Sequence, residues 1–279
     1  MEIQFLGAAG SVTGSCYLIR NGAHEILLEC GQIQGGEEQA QRNREPLPVP
    51  AGQIDAVVLS HAHIDHSGRL PLLLRLGFSG PIHTHQATTA LCDIMLRDSA
   101  YLHEKDAEWE NRKRERRGLP PLEPLFTQAD AEAVMAQFEG VEYGVRRTVA
   151  PGIDVRLNDA GHILGAAIVE LWLSEGGVQR KIVFSGDLGF RDAPIMEDPS
   201  RIADADLVLL ESTYGDRLHR SFDETLEELA KLFETARGGG GNLLVPAFAI
   251  GRTQDLLYLM AEHYDEWKLA DWRVFLRTV

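Results

Sequence analysis

Six consecutive residues, His61-Ala62-His63-Ile64-Asp65-His66, restrict this chain more than any other stretch. Three imidazoles and a carboxylate are crowded behind Ile54-Asp55-Ala56-Val57-Val58-Leu59-Ser60, an apolar, β-branched run that reads as a buried strand. Ser67-Gly68-Arg69-Leu70-Pro71-Leu72-Leu73-Leu74 follows and reads as the opening of a helix. The hexad therefore occupies a strand-to-helix turn. Positions two apart in extended chain share a side, so His61 and His63 can hold one ion together. Where the chain turns, Asp65 and His66 project at another angle and can hold a second. Imidazole nitrogen with carboxylate oxygen is a zinc-type ligand set that commonly keeps one position open for water. Isolated histidines, such as His24, His103, His219 and His263, read as surface or satisfied core residues. Packing alone does not crowd four titratable groups at a buried strand end.

With 279 residues the chain has room for one large or two ordinary domains. Its 44% hydrophobic and 25% charged content is that of a globular protein. It contains no apolar run long enough for a membrane span, and Met1-Glu2-Ile3-Gln4-Phe5-Leu6 reads as a strand rather than a signal peptide. Cys16, Cys30 and Cys92 form no closely spaced pair, the usage of reduced thiols in a cytoplasm. A net charge of -15 excludes a protein that holds nucleic acid by bulk electrostatics. One stretch departs from that balance. Arg112-Lys113-Arg114-Glu115-Arg116-Arg117 reads either as a solvated helix end before Gly118 or as a phosphate-contacting patch.

Hydrophobic patterning predicts strands over 2–6, 15–20 and 24–29, the last two joined by an Asn21-Gly22 hairpin turn. Residues 31–50 are expected to be loop. A strand over 81–85, a helix from Gln86 to about Arg117 and another from Thr127 to about Phe138 follow. A second batch of strands is expected over 142–146, 153–158, 166–173, 180–185 and 206–211. Two batches of strands with helices between them predict two facing sheets with outer helices. Residues 221–237 have a Ser221/Glu224 capping box and an apolar face of Phe222, Leu226, Leu229 and Phe233. The glycines at 238–241 then end the helix. They have no lysine beside them and read as a linker before a strand over 242–245.

Three later positions repeat the strand-end theme: His162 between Gly161 and Gly165, Asp187 in Ser185-Gly186-Asp187, and Glu211 after Asp206–Leu210. Taken singly, each reads as a turn residue. Beside the hexad, His162 and Asp187 become candidates for closing a two-metal site.

These motifs together resemble the metallo-β-lactamase fold. The hexad is similar to its H-x-H-x-D-H motif, His162 to its next histidine ligand and Asp187 to its metal-bridging aspartate. Within that superfamily the chain resembles the β-CASP nucleases, which cleave RNA. The closer likeness lies in Gly7-Ala8-Ala9-Gly10-Ser11-Val12-Thr13-Gly14-Ser15-Cys16, Glu211-Ser212-Thr213-Tyr214-Gly215 and Pro246-Ala247-Phe248-Ala249-Ile250-Gly251-Arg252-Thr253-Gln254. The resemblance implies an α/β fold: an αββα sandwich of two facing mixed sheets over 1–213, then the beginning of a β-CASP α/β domain over 214–279. It implies zinc at His61, His63 and His162, a second zinc at Asp65 and His66, Asp187 bridging, and catalytic roles for Asp65, Asp187 and Glu211. Arg252, which opens a helix, is the implied phosphate contact.

Glu29 stands where the family has aspartate, in a position that orients the site rather than binding metal. The chain reaches Val279 early in the implied second domain, before the family's later histidine motifs. A shortened relative is thus expected, with a weaker or empty second zinc site. The apolar residues Val245, Phe248, Leu256, Leu257, Phe275 and Leu276 would then seek a homodimeric or heteromeric partner. The expected activity is zinc-dependent cleavage of RNA phosphodiester bonds in the cytoplasm. A small-substrate hydrolase of the thioester type and a non-catalytic metal-binding subunit remain alternatives.

Overall fold

A computed structural model of the chain describes residues 1–276; Val279, named above, lies outside the described residues. The first sheet begins with β1 (Glu2–Gly7), β2 (Cys16–Asn21) and β3 (His24–Leu28), three antiparallel strands. Gly22 and Ala23 lie between the paired residues Asn21 and His24, and Gly22 adopts φ +62°, a conformation that suits glycine. β4 (Ala56–Val58), β5 (Ile82–Thr84) and β6 (Phe138–Gly140) then add in parallel, giving the order β1-β2-β3-β4-β5-β6.

The second sheet has the order β11-β10-β9-β8-β7. It comprises β7 (Arg146–Ala150), β8 (Ile153–Asp159), β9 (Ala167–Glu175), β10 (Val178–Phe184) and β11 (Leu207–Leu209). Neighbours in it are antiparallel except β10 and β11.

Alternation along the strands builds two cores. Ile19, Ile26, Leu28, Ala56 and Val58 meet Val155, Leu157, Val169, Leu171 and Phe184 between the sheets. The opposite faces, with Leu18, Leu27, Val57, Leu59 and Ile82, are covered by α3 (Leu70–Arg75), α4 (Gln86–Arg116) and α5 (Gln128–Val134), which contribute Leu70, Leu73, Leu96, Ala131 and Val134. The central strands are therefore buried on both faces, which is why residues 54–60 read as a continuous apolar run.

Several local expectations give way to geometry. Residues 31–50 include a short helix, α1 (Glu37–Arg42), and the chain after the 3-10 turn Met135–Gln137 pairs as β6. The strand expected over 142–146 falls mostly ahead of β7. Gly144 turns into the left-handed region at φ +75°, and only Tyr143 bridges to Leu157. α6 (Phe222–Gly239) carries the Ser221/Glu224 capping box, and it packs with α7 (Arg252–Glu262) around Phe233, Leu259, Trp267 and Leu269. Residues 242–245 have no ladder partner among the described residues, so they do not form the expected strand.

Candidate metal centre

The hexad leaves the end of β4 and enters the short helix α2 (Ile64–Ser67). A turn this tight requires close backbone contact with the segment before β2 and the loop after β3. The N–H of Ser15 donates to the Asp65 carbonyl at 2.8 Å, and that of Gln32 donates to the Ile64 carbonyl at 2.9 Å. Gly31 packs so closely that a Cβ there would overlap the Asp65 carbonyl. His162 arrives on the loop after β8, and Asp187 on the loop after β10. Gly189 seats one loop on the other, because a Cβ on it would collide with the Gly161 carbonyl.

His61 Nε2, His63 Nδ1, His162 Nε2 and a carboxylate oxygen of Asp187 all lie within 4.8 Å of one another. His63 Nδ1 is 3.1 Å from His61 Nε2 and 3.2 Å from His162 Nε2. Asp187 Oδ2 is 3.7 Å from His61 Nε2 and 3.6 Å from His162 Nε2, while Oδ1 turns the other way, 3.3 Å from His66 Nε2. Asp65 Oδ2 stands 3.8 Å from that same nitrogen. One aspartate thus faces two groups of candidate ligands, one of three histidines and one of Asp65 and His66.

Glu29 organises the protons behind both groups. It is fully buried and in a left-handed conformation, φ +65°. Its carboxylate accepts from the Ser60 N–H at 2.6 Å and from Ser60 Oγ at 2.8 Å, and it closely hydrogen-bonds His66 Nδ1. Since the Ser60 hydroxyl donates to Glu29, its lone pair accepts from His61 Nδ1 at 2.9 Å. His61 therefore holds its proton on Nδ1, and both rings donate through Nδ1 and aim Nε2 at Asp187. Glu29, His61 and His66 also form a compact acid–imidazole group. Its inward-facing atoms are already occupied by these bonds, so it is a hydrogen-bond relay rather than a cation cage.

Electrostatics agree with a ligand role for the three-histidine group. Burial pushes His61 well below the ordinary imidazole range, with neighbouring imidazoles adding to the shift. It also lowers His63, and it takes His162 to about 4. Neutral imidazoles whose lone pairs converge at 3.1–3.2 Å repel unless a cation or proton lies between them. The His61 proton is already committed to Ser60. For a zinc–nitrogen distance of about 2.0–2.1 Å, tetrahedral ligand atoms stand about 3.3–3.4 Å apart, so the donor set fits a divalent metal.

His66 behaves differently. Burial opposes its charge, but hydrogen bonds to Asp187 and Glu29 outweigh burial and raise it to about 10. Burial likewise pulls Asp187 up, and His66 more than reverses this, leaving Asp187 below the usual carboxylate range. Asp65 is raised by burial.

The other expected residues stand at the rim. The Glu211 N–H donates to Ser185 Oγ at 3.0 Å, and its carboxylate accepts from the Thr213 N–H at 3.0 Å. Glu211 belongs to neither compact ligand group. Arg252 begins α7 with its guanidinium 6.0 Å from the Phe190 ring and 3.9 Å from Asp255. Phe248, within the 246–254 stretch, places its ring 6.4 Å from that of His63. One participant had no marked signal in the sequence: Ser60, the proton link between Glu29 and His61, since a lone serine is not distinctive without the fold that places it.

Residues 9–151 match the family model described as the metallo-beta-lactamase superfamily. The chain is 38% identical over 263 residues to ribonuclease TTHA0252 of Thermus thermophilus, covering 94% of this chain and 55% of that protein. It is 29% identical over 269 residues to the transcription termination factor FttA of Methanocaldococcus jannaschii, covering 95% of this chain and 40% of the relative. The chain thus spans about half the length of the curated relatives it matches. Among solved structures, the subclass B3 metallo-beta-lactamase MEM-A1 from a soil metagenome library is 20% identical. That match covers 62% of this chain and 56% of the other, with a TM-score of 0.38. No described helix is long and apolar enough to cross a membrane. The chain belongs to the metallo-β-lactamase superfamily.

Proposed function

We propose that this chain is a zinc-dependent hydrolase of RNA phosphodiester bonds. The observation that carries the reading is the convergence of His61, His63, His162 and Asp187 within 4.8 Å, with the second Asp187 oxygen turned toward His66. In this reading the three histidines and Asp187 hold one zinc, and Asp65, His66 and Asp187 hold the other. Two such ions would supply an attacking water of lowered pKa and counter-charge for the phosphate in an in-line displacement. The RNA substrate is supported by the likeness to a protein named a ribonuclease. Three buried free thiols support a cytoplasmic setting. Residues 1–213 would form the metallo-β-lactamase domain and 214–279 the start of a β-CASP domain, with the exposed C-terminal segment free to meet a second subunit.

The chain's own groups have separable tasks here. Glu29 directs the Nε2 lone pair of His61 through Ser60, and its hydrogen bond to His66 Nδ1 aims that ring at Asp187. Asp187 fixes the spacing of the two ligand groups. Glu211, beside Ser185, would assist proton transfer at the leaving oxygen, and Arg252 would hold a substrate phosphate. Elemental analysis of the purified chain and cleavage of a labelled single-stranded RNA test the proposal together. Zinc at one to two equivalents is expected, with RNA cleavage that falls by orders of magnitude in Asp65→Asn. A folded protein that takes up no zinc on reconstitution refutes it.

A further inference from the structure

The basic run near the middle of the chain belongs to an ordered structure. α4 is 31 residues long, about 46 Å at helical rise, and its N-terminal half is buried through Thr88, Cys92, Leu96, Ser99 and Ala100. Its second half extends as an arm whose end is pinned. Asn111 Nδ2 donates to the Leu122 carbonyl at 2.9 Å, and Asn111 Oδ1 accepts from the Leu122 N–H at 2.7 Å. Arg114 Nε donates to the Pro120 carbonyl at 2.7 Å. Residues 118–122 are thereby folded back on the last turns and hold them in helical form.

At 100° per residue, Tyr101, Lys105, Trp109, Arg112, Lys113 and Arg116 fall within about 120° of one another, on an arc that excludes the buried Thr88, Cys92, Leu96, Ser99 and Ala100. Lys105 lies 5.6 Å from the Tyr101 ring centroid and Lys113 lies 3.0 Å from that of Trp109, which is 61% exposed. Lys105 also pairs with Glu108 at 2.9 Å and Lys113 with Glu110 at 3.4 Å. Such exposed pairs are weak and exchange readily for phosphate. Arg112 and Arg116 make no ion pair among the described residues. Four cations thus share about 22 Å of helix with two exposed aromatic rings, on a chain whose net charge is -15.

We infer that this face of α4 is a binding stripe for single-stranded RNA, separate from the metal centre, with the cations on phosphates and Tyr101 and Trp109 under bases. The inference rests on the proposal that RNA is the substrate and names where a second length of it lies. Basic side chains beside stacking platforms are what sequence-tolerant single-strand binding requires. An acidic protein that must hold a polyanion has to concentrate its cations locally, since its overall field repels the ligand.

The test uses Lys105→Gln, Arg112→Gln, Lys113→Gln and Arg116→Gln together, and Trp109→Ala separately, with helicity checked by circular dichroism. Fluorescence anisotropy of a labelled single-stranded RNA is followed between 50 and 250 mM salt. For the quadruple variant, affinity at 150 mM salt should fall at least tenfold, and the log–log salt slope should flatten by about 2–3, since each single-strand phosphate contact contributes about 0.7. Trp109→Ala should weaken binding by about fivefold or more with the slope unchanged. Hydrolysis of bis(p-nitrophenyl) phosphate by the zinc-loaded proteins should be the same in all three. Wild-type affinity and slope in the quadruple variant would overturn the stripe and leave the hydrolase reading standing. Absent diester hydrolysis with the expected binding losses would overturn the hydrolase reading alone. No RNA binding by the wild type, with self-association by sedimentation that Trp109→Ala abolishes, would make this face a protein interface and overturn the inference.

Discussion

Replacing Glu29 by Gln tests the proton relay with almost no change of shape. The native carboxylate is fully buried and accepts from the Ser60 N–H, the Ser60 hydroxyl and His66 Nδ1. A glutamine can keep the first of these through its oxygen, but its NH2 must donate where the second oxygen accepted. In the neutral form that can ligate a metal, His66 Nδ1 then has to accept, which leaves the single ring proton on Nε2, the atom 3.3 Å from Asp187. The Ser60 hydroxyl, now accepting from the amide, must donate to His61 Nδ1, and that ring too carries its proton on Nε2. Both rings then present N–H where a metal needs a lone pair.

Loss of one such orienting contact typically weakens metal binding about 10–100-fold, or about 1.4–2.7 kcal/mol per site. In the metal-free protein the cost to folding is of the same order, about 1–3 kcal/mol, with His66 keeping Asp187 as its partner. Zinc titration against a chromophoric chelator measures the first quantity, and urea unfolding in chelator measures the second. Ser60→Ala is the internal control, since it severs only the His61 branch and should weaken only the three-histidine site. Wild-type affinity at both sites in Glu29→Gln, in a protein that is otherwise folded, would refute the relay.

Three further outcomes are expected. Glu170 is buried against Arg156, Asn158 and Lys181; burial raises its pKa, but their hydrogen bonds outweigh this and lower it from 4.5 to about 2. Its stabilisation, roughly 3 kcal/mol, is therefore complete above pH 4.5 and is lost as pH falls toward 2, so acid unfolding of Glu170→Gln should show a flatter limb between those values. Gly31→Ala should destabilise the protein by several kcal/mol, of order 3–4, and impair metal binding, because its Cβ overlaps the Asp65 carbonyl; a variant as stable as wild type by thermal melt would contradict that contact. Removing metal with chelator should lower the melting temperature, and re-adding zinc at 100 times its dissociation constant should restore about 2.7 kcal/mol; a melting temperature indifferent to both would mean the histidine group holds no ion.

Local chemistry was legible in the order of residues. A β-branched run before His61 and a proline-bearing apolar run after His66 place the hexad on a strand-to-helix turn, because side-chain periodicity is a property of neighbours in the chain. The Ser221/Glu224 capping box is legible for the same reason, its two hydrogen bonds spanning three residues. What depends on contacts distant in the chain was not. Residues 142–146 carry strand-like side chains, but Gly144 takes a left-handed turn and pairing starts at Arg146. Residues 242–245 have the composition of a strand and no ladder to join among the described residues. The spacing of His162 and Asp187 from the hexad is set by two sheets packing face to face, which brings residues about a hundred positions apart within 3.2 Å. That packing also makes Ser60 a proton link between Glu29 and His61. A hydroxyl has no fixed role in a sequence; the buried carboxylate beside it, brought there by the pairing of β3 with β4, decides which way it donates.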